Sequence, residues 1–147
     1  MKELLLRWTQ DYQATETNSV STYVAPRGLE AFTAALKDYE GQWALTGSLA
    51  VPPSVSRAPS RLATCYVDDS NRAAKRTDIR PTESGTNVLL LEPFDSVVWQ
   101  RGRTEQGLNY VALSQCAADL LTGTGRQPAE AEELMKWMAD NEDVWRA

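Results

Sequence analysis

Histidine is absent from this chain, and only two cysteines occur in its 147 residues. Without histidine there is no Ser-His-Asp arrangement and no His-containing zinc site, and two thiols do not complete a Cys-only tetrahedron. Nucleophilic catalysis through Ser48, Ser54 or Cys65 lacks its common activating base, and no Ser-x-x-Lys pair replaces it. No apolar run approaches the length of a membrane span, and charges interrupt the opening MKELLLRWTQDY too early for a signal-peptide core. Positive charge is also in short supply. Formal net charge is −5, which argues against a strong phosphate-binding face. The densest basic region, Arg57, Arg61, Arg72, Lys75, Arg76 and Arg80, reads as a solvated surface. Cys65 and Cys116 sit among apolar neighbours and read as two buried, reduced thiols of a cytoplasmic protein, with a disulfide between them as the alternative.

What is present suffices for one compact domain with a real core, including five Trp and five Tyr. A helix is predicted over 3–13, with Leu5, Trp8 and Tyr12 on one stripe, Leu4 beside it and Leu6 on the other side. The polar TETNS stretch ends it, and alternation over 19–24 predicts a strand. Pro26-Arg27-Gly28 introduces a helix over 28–39, carrying Leu29, Phe32, Leu36 and Tyr39 on one face and stopped by Gly41. The run 42–51 reads as a short strand and a helical turn, closed by Pro52-Pro53. A β-type run over 61–67 follows, then a short helix over 71–76 capped by Ser70. The segment 87–91 is the most apolar strand and belongs near the centre of a sheet. Weaker strands or turns over 95–100 and 108–111 flank the polar RGRTEQG connection, which suits a hairpin tip. A closing helix pair is best defined. Ser114 caps 115–122, Gly123 serves as a left-handed stop, and Pro128 opens a last helix with Ala131, Leu134, Met135, Met138 and Trp145 on its stripe and Trp137 on the shoulder. The fold class is α+β: a single domain, with a small mixed sheet flanked by helices and a C-terminal helical pair.

Three constellations bear on chemistry. Gly47-Ser48, followed by a strand ending in Asp68-Asp69, has the order of a minimal Mg-dependent nucleotidyltransferase, in which a Gly-Ser turn meets phosphates and strand-end carboxylates hold metal. Adjacent carboxylates on a continued strand point to opposite faces, however, and a third would have to come from Glu92 or Asp95. The plainer reading is a turn, a strand end and a helix cap, so no catalytic or metal residues are assigned; Ser48, Asp68 and Asp69 are the alternative set. A degenerate scaffold of that kind is compatible with the same order. The second constellation, Thr122-Gly-Thr-Gly-Arg126, could cradle an anion, but a helix cap joined to a helix start explains it more simply, with Arg126 pairing to a carboxylate such as Asp119. The third is aromatic: Trp8, Tyr12, Trp43, Trp99, Trp137 and Trp145 read as core or partner-interface groups rather than base-stacking platforms. Arg126, Trp137 and Trp145 are the partner-contact candidates. No cofactor is indicated.

The tail LSQCAADLLTGTGRQPAEAEELMKWM, together with ALTGSLAV, LATCYVDD, GTNVLLLEPFD and the opening LLLRWTQDY, resembles the AbiEi antitoxin family of type IV toxin–antitoxin systems. The resemblance implies a non-enzymatic antitoxin or regulatory domain, of the kind found in abortive-infection phage defence. Its cognate partner would be a nucleotidyltransferase-type toxin, opposed with or without direct contact. It further implies a two-domain pattern in which a winged helix-turn-helix binds operator DNA ahead of the antitoxic domain. On that pattern, 1–147 corresponds to the second domain, with the DNA-binding module absent from the chain and no membrane partner. The family supplies no catalytic residues to carry over.

Overall fold

The computed structural model describes residues 19–55, 60–123 and 125–145, and the side chains of 144 and 145 fall outside that description. The predicted helix 3–13, with Trp8 and Tyr12, therefore lies outside the described residues, as do Arg57 and Thr124. The described elements run β1 (Ser19–Val24), α1 (Leu29–Leu36), β2 (Trp43–Thr46), a 3-10 turn (Gly47–Ala50), β3 (Ala63–Val67), α2 (Ser70–Thr77), β4 (Arg80–Pro81), β5 (Val88–Glu92), a second 3-10 turn (Ser96–Trp99), β6 (Arg103–Glu105), β7 (Leu108–Tyr110), α3 (Leu113–Leu121), α4 (Gln127–Asp140) and α5 (Glu142–Trp145).

Seven strands form one mixed sheet in the order β4-β1-β5-β3-β2-β7-β6. β5 lies antiparallel to β1 and parallel to β3; β3 is antiparallel to β2, and β2 parallel to β7. Strand alternation divides the core between two faces. Tyr23, Trp43, Leu45, Cys65, Val67, Val88 and Leu90 pack with Phe32 and Leu36 of α1 and Ala73 and Ala74 of α2. Ala44, Tyr66 and Leu91 point the other way, into a core shared with Cys116, Ala117 and Leu120 of α3 and Ala131, Leu134, Met135 and Met138 of α4. The architecture is α+β, with the C-terminal helix pair on one face of a mixed sheet.

Cys65 and Cys116 are both free and buried, and they belong to the cores on opposite faces of the sheet. No disulfide joins them. Burial pushes both thiols up, that of Cys116 to about 12, so neither is a thiolate at neutral pH.

Several boundaries differ from the sequence reading. α1 ends at Leu36 in a tightened turn, with Lys37 and Asp38 donating to Ala34 and Ala35. Gly41 has a different job from stopping it: a Cβ there would lie 2.5 Å from Asp68 Oδ1 and 2.6 Å from the Tyr39 ring. Of the two readings open for 95–100, strand or turn, the structure takes the turn: Asp95 Oδ1 accepts from Val97 N at 3.1 Å and Val98 enters the core. The hairpin tip narrows to Gln106-Gly107, with φ of 53° and 80°, the backbone that a two-residue turn between twisted strands requires. Ser114 does not cap α3. That helix starts at Leu113 after Ala112, without a side-chain cap. Gly123 is not left-handed either; the positive-φ glycine of this connection is Gly125, at 62°. A Cβ at Gly123 would run into the Gln127 side chain, which would have to move aside. Pro128 stands second in α4, after Gln127.

The cap of α2 is Asp69, not Ser70. Asp69 has extended backbone and its Oδ1 accepts from Arg72 N at 3.0 Å. Ser70 is the first helical residue. Its N–H goes to Glu92 Oε2 at 2.9 Å, while its buried Oγ has no hydrogen-bond partner among the described residues. Opposite outcomes follow for two neighbouring alanine variants. Asp69→Ala is expected to cost about 1 kcal/mol through loss of the cap. Ser70→Ala is expected to be neutral or to stabilise by about 0.5–1 kcal/mol, because it removes a stranded hydroxyl. Urea unfolding separates the two, and equal destabilisation would make Ser70 the cap after all.

Candidate functional site

The antiparallel β2–β3 pair gathers polar groups at both of its ends. At the end where β2 finishes, α3 lays Gln115 and Asp119, one helical turn apart, against the sheet. Asp119 is only 7 % exposed. Its Oδ2 accepts from Thr46 Oγ1 at 2.6 Å, and the Tyr66 hydroxyl reaches both oxygens at 3.0 and 3.1 Å. Gln115 Nε2 donates to Oδ1 at 3.0 Å. One carboxylate thus ties β2, β3 and α3 together. Beside it lies a cavity of about 90 Å³ lined by Thr46, Leu62, Thr64, Leu89 and Gln127, room for roughly three waters. On the adjoining turn Ser48 Oγ donates to Glu130 Oε1 at 2.7 Å, which fastens the start of α4 to the 3-10 turn.

At the opposite end, Asp68 follows β3, its N–H bonded to Gln42 O at 3.1 Å. Tyr39 OH donates to Asp68 Oδ1, and Arg72 NH2 donates to its Oδ2 at 3.0 Å. The Arg72 guanidinium also lies 5.5 Å from the Tyr39 ring centroid, within cation–π range. Burial pushes the Asp68 carboxyl up, but the Tyr39 hydroxyl, the Gln42 main chain and the Arg72 charge outweigh it and hold the group below its ordinary value. Arg76, next along α2, donates to Asp38 O at 3.3 Å. Two of the clustered basic residues therefore serve the packing of α2 against the segment after α1.

These placements decide what the sequence-derived constellations share. The register pairs Trp43 with Val67 and Thr46 with Thr64. Gly47-Ser48 and Asp68-Asp69 therefore sit at opposite ends of the pair, separated by roughly 16 Å at 3.3 Å per residue. Glu92 approaches the start of α2, and Asp95 caps the second 3-10 turn. Among the described residues, no three carboxylate or thiol side chains converge in a way that could hold a metal ion. Arg126 is exposed at the start of α4, with Gly125 before it. Trp137 is half-buried against the α3–α4 core, as is Trp99, while Trp43 is buried on the other face. The side chain of Trp145 lies outside the described residues.

A second concavity, a groove of about 410 Å³, lies beside the residues of β2 and β7 that lead up to the Leu45–Tyr110 pairing. Gln42, Trp43, Trp99, Arg103, Asn109 and Tyr110 line it. Arg103 is committed to structure there: it donates to Ala50 O at 2.8 Å and Val111 O at 3.2 Å and lies 5.2 Å from the Tyr110 ring centroid.

The Asp119 assembly was missed by sequence reasoning, because its partners come from three separate segments. The available signal was Gln115 and Asp119 four apart on a helix otherwise rich in Ala, Cys and Leu. An acid on such a face has to be paired when it is buried.

No curated protein and no solved structure matches the chain. A family model does match, over residues 1–140, nearly the whole length. By that match the chain belongs to the AbiEi antitoxin family, transcriptional regulators of type IV toxin–antitoxin systems.

Proposed function

We propose that this chain is a non-enzymatic antitoxin domain that opposes a nucleotidyltransferase-type toxin in an abortive-infection phage-defence system. The family match over 1–140 carries the reading. The geometry supports it from a second direction. Ser48, Asp68 and Asp69 are each engaged in holding the fold, through Glu130, through Tyr39 and Arg72, and through the cap of α2. The rival reading, a Mg-dependent nucleotidyltransferase, would need those groups to converge across the length of the β2–β3 pair. Arg126 and Trp137, with Trp145, are the proposed contact points should the toxin be engaged directly. Operator DNA would be bound through a separate winged-helix module. No described helix is long and apolar enough to cross a membrane, and two buried free thiols suit the reducing cytoplasm.

Co-expression with a nucleotidyltransferase-type toxin encoded beside the gene for this chain would test the proposal. The expected result is relief of growth arrest by the intact chain. Persistent arrest with the chain soluble and folded would sink it. For the rival reading, calorimetry with a nucleoside triphosphate and Mg²⁺ is expected to give no binding; binding that Asp68→Ala abolishes would revive it.

A further inference from the structure

β2 pairs with β7 at one position, Leu45 with Tyr110. Two residues earlier, Trp43 and Leu108 form no such pair, and the groove of about 410 Å³ borders this stretch of β2. The register fixes what the β2 edge presents there. Asp68 N donates to Gln42 O in line with the β2–β3 ladder. Ala44 and Thr46 therefore also turn their main-chain groups toward β3, while Trp43 and Leu45 turn theirs toward β7. Leu45 O accepts from Val111 N at 3.0 Å. The N–H and C=O of Trp43 have no strand partner on that side among the described residues, although the residue is only 6 % exposed. They form one pairing position of an open strand edge. Consecutive residues 41–44 all line the groove. Since successive side chains point to opposite faces, it is the strand edge that borders the space.

Arg103 supplies a second feature of the same groove. Its Nε and Nη2 are spent on Val111 O and Ala50 O, which leaves the donors of Nη1. Among the described residues no carboxylate forms an ion pair with it. Burial lowers its pKa from the ordinary arginine value, and Glu105 acts on it only at a distance. A half-buried charge of this kind calls for an anionic partner. Arg103 pairs with Tyr110 and Tyr110 with Leu45, so it stands two residues along the sheet from Trp43, roughly 7 Å at 3.3 Å per residue.

We propose that this groove binds an extended acidic segment of a partner protein, which pairs its main chain with Trp43 at the β2 edge and sets a carboxylate against Arg103. A peptide answers both features at once: its N–H and C=O meet those of Trp43, and its acidic side chain bridges the short span to the guanidinium. Half-buried Trp99 and Tyr110 supply flanking aromatic surface. A free carboxylate answers only the charge, and a neutral peptide only the edge. Neither Arg126 nor Trp137 lines this groove, so its occupant is separable from a toxin contact at those residues.

The probe is a capped pentapeptide of valine and threonine with a central glutamate, titrated into the full ¹⁵N-labelled chain and followed by NMR. Salt of about 0.15 M screens the chain's net charge of −5. The Trp43 amide proton is expected to move downfield as it gains a hydrogen bond, together with shifts at Arg103 Nε and the Trp99 indole. The same peptide with a central glutamine is expected to bind at least about fivefold more weakly. Acetate is expected to shift Arg103 Nε and leave the Trp43 amide in place. Arg103→Met, which keeps an unbranched apolar stem without the charge, is expected to remove the preference for glutamate. Should that variant fail to fold, the two peptides on the wild-type chain still decide. An unmoved Trp43 amide at about 10 mM peptide overturns the proposal. So does equal binding of the two peptides, or acetate binding as tightly as the glutamate peptide, which would reduce the groove to a small-anion site.

Discussion

Replacing Asp119 with alanine is expected to lower stability by about 3–5 kcal/mol, an effect large for a single polar side chain. The carboxylate is 7 % exposed and receives Thr46 Oγ1, Tyr66 OH and Gln115 Nε2. Alanine removes a shared acceptor from all three donors in a site that bulk water reaches poorly, although Gln115 Nε2 keeps the Tyr66 hydroxyl at 3.4 Å. Each lost charge-assisted bond costs about 1–3 kcal/mol, but the costs do not add in full. The hydroxyls can rotate toward one another, and the adjoining cavity of about 90 Å³ can admit water to the vacated volume. Asp119→Asn keeps the shape and one acceptor oxygen, and either hydroxyl can turn to accept from the new amide. Its expected loss is accordingly smaller, about 1–2 kcal/mol. Thermal and urea unfolding followed by circular dichroism check both values, with Tm shifts of about 2–4 °C per kcal/mol for a chain of this size. An alanine variant within about 1 kcal/mol of wild type would show that this carboxylate does not anchor α3 to the sheet.

The elements that the sequence makes legible are those whose stabilisation is written in one segment. β1, the β2-and-turn unit, β3 and β5 are apolar or alternating over their own lengths, and α4 carries its stripe from Ala131 to Met138. The misread features are those decided by a distant partner. Asp69 and Ser70 are equally good caps in isolation; Glu92, on β5, takes the Ser70 N–H and leaves the capping position to Asp69. α3 begins at Leu113, two residues before the expected start, because the chain turns at Ala112 directly after Val111 N–H has bonded to Leu45 O. For 95–100, where the sequence left strand and turn open, Asp95 closes a turn.

The polar groups follow the same division. The adjacency of Asp68 and Asp69 already spoke against a two-carboxylate metal site, and that much was local. Their distance from Ser48 depends on the antiparallel pairing of β2 with β3, which no local pattern encodes. The Tyr39–Asp68–Arg72 cluster spans the ends of α1 and β3 and the first turn of α2, and Asp119 draws on three segments. In each case the sequence shows a polar residue without showing what faces it.

Leu134→Ala is the second change expected to be severe, at about 3–4 kcal/mol. Leu134 lies midway along α4 and is 0 % exposed, in the core shared with Ala117 and Leu120 of α3 and Met135 and Met138 of its own helix. Truncation removes the burial of several methyl and methylene groups and opens a cavity between two helices. The neighbouring alanines have no side-chain freedom with which to fill it. Trp137→Ala, on the half-buried shoulder of the same helix, is expected to cost less, about 1–2 kcal/mol, despite its larger side chain, because solvent already reaches part of the ring. The loss at Leu134 has a direction as well as a size. α4 is held by α3 and the first 3-10 turn, whereas β3 and β5 lie in the middle of the sheet. Amide protection should therefore fall first in α3 and α4 and persist in β3 and β5. A uniform fall across all four elements would mean that the helix pair and the sheet unfold as one cooperative unit. A cost below about 1 kcal/mol would remove Leu134 from the core of the helix pair altogether.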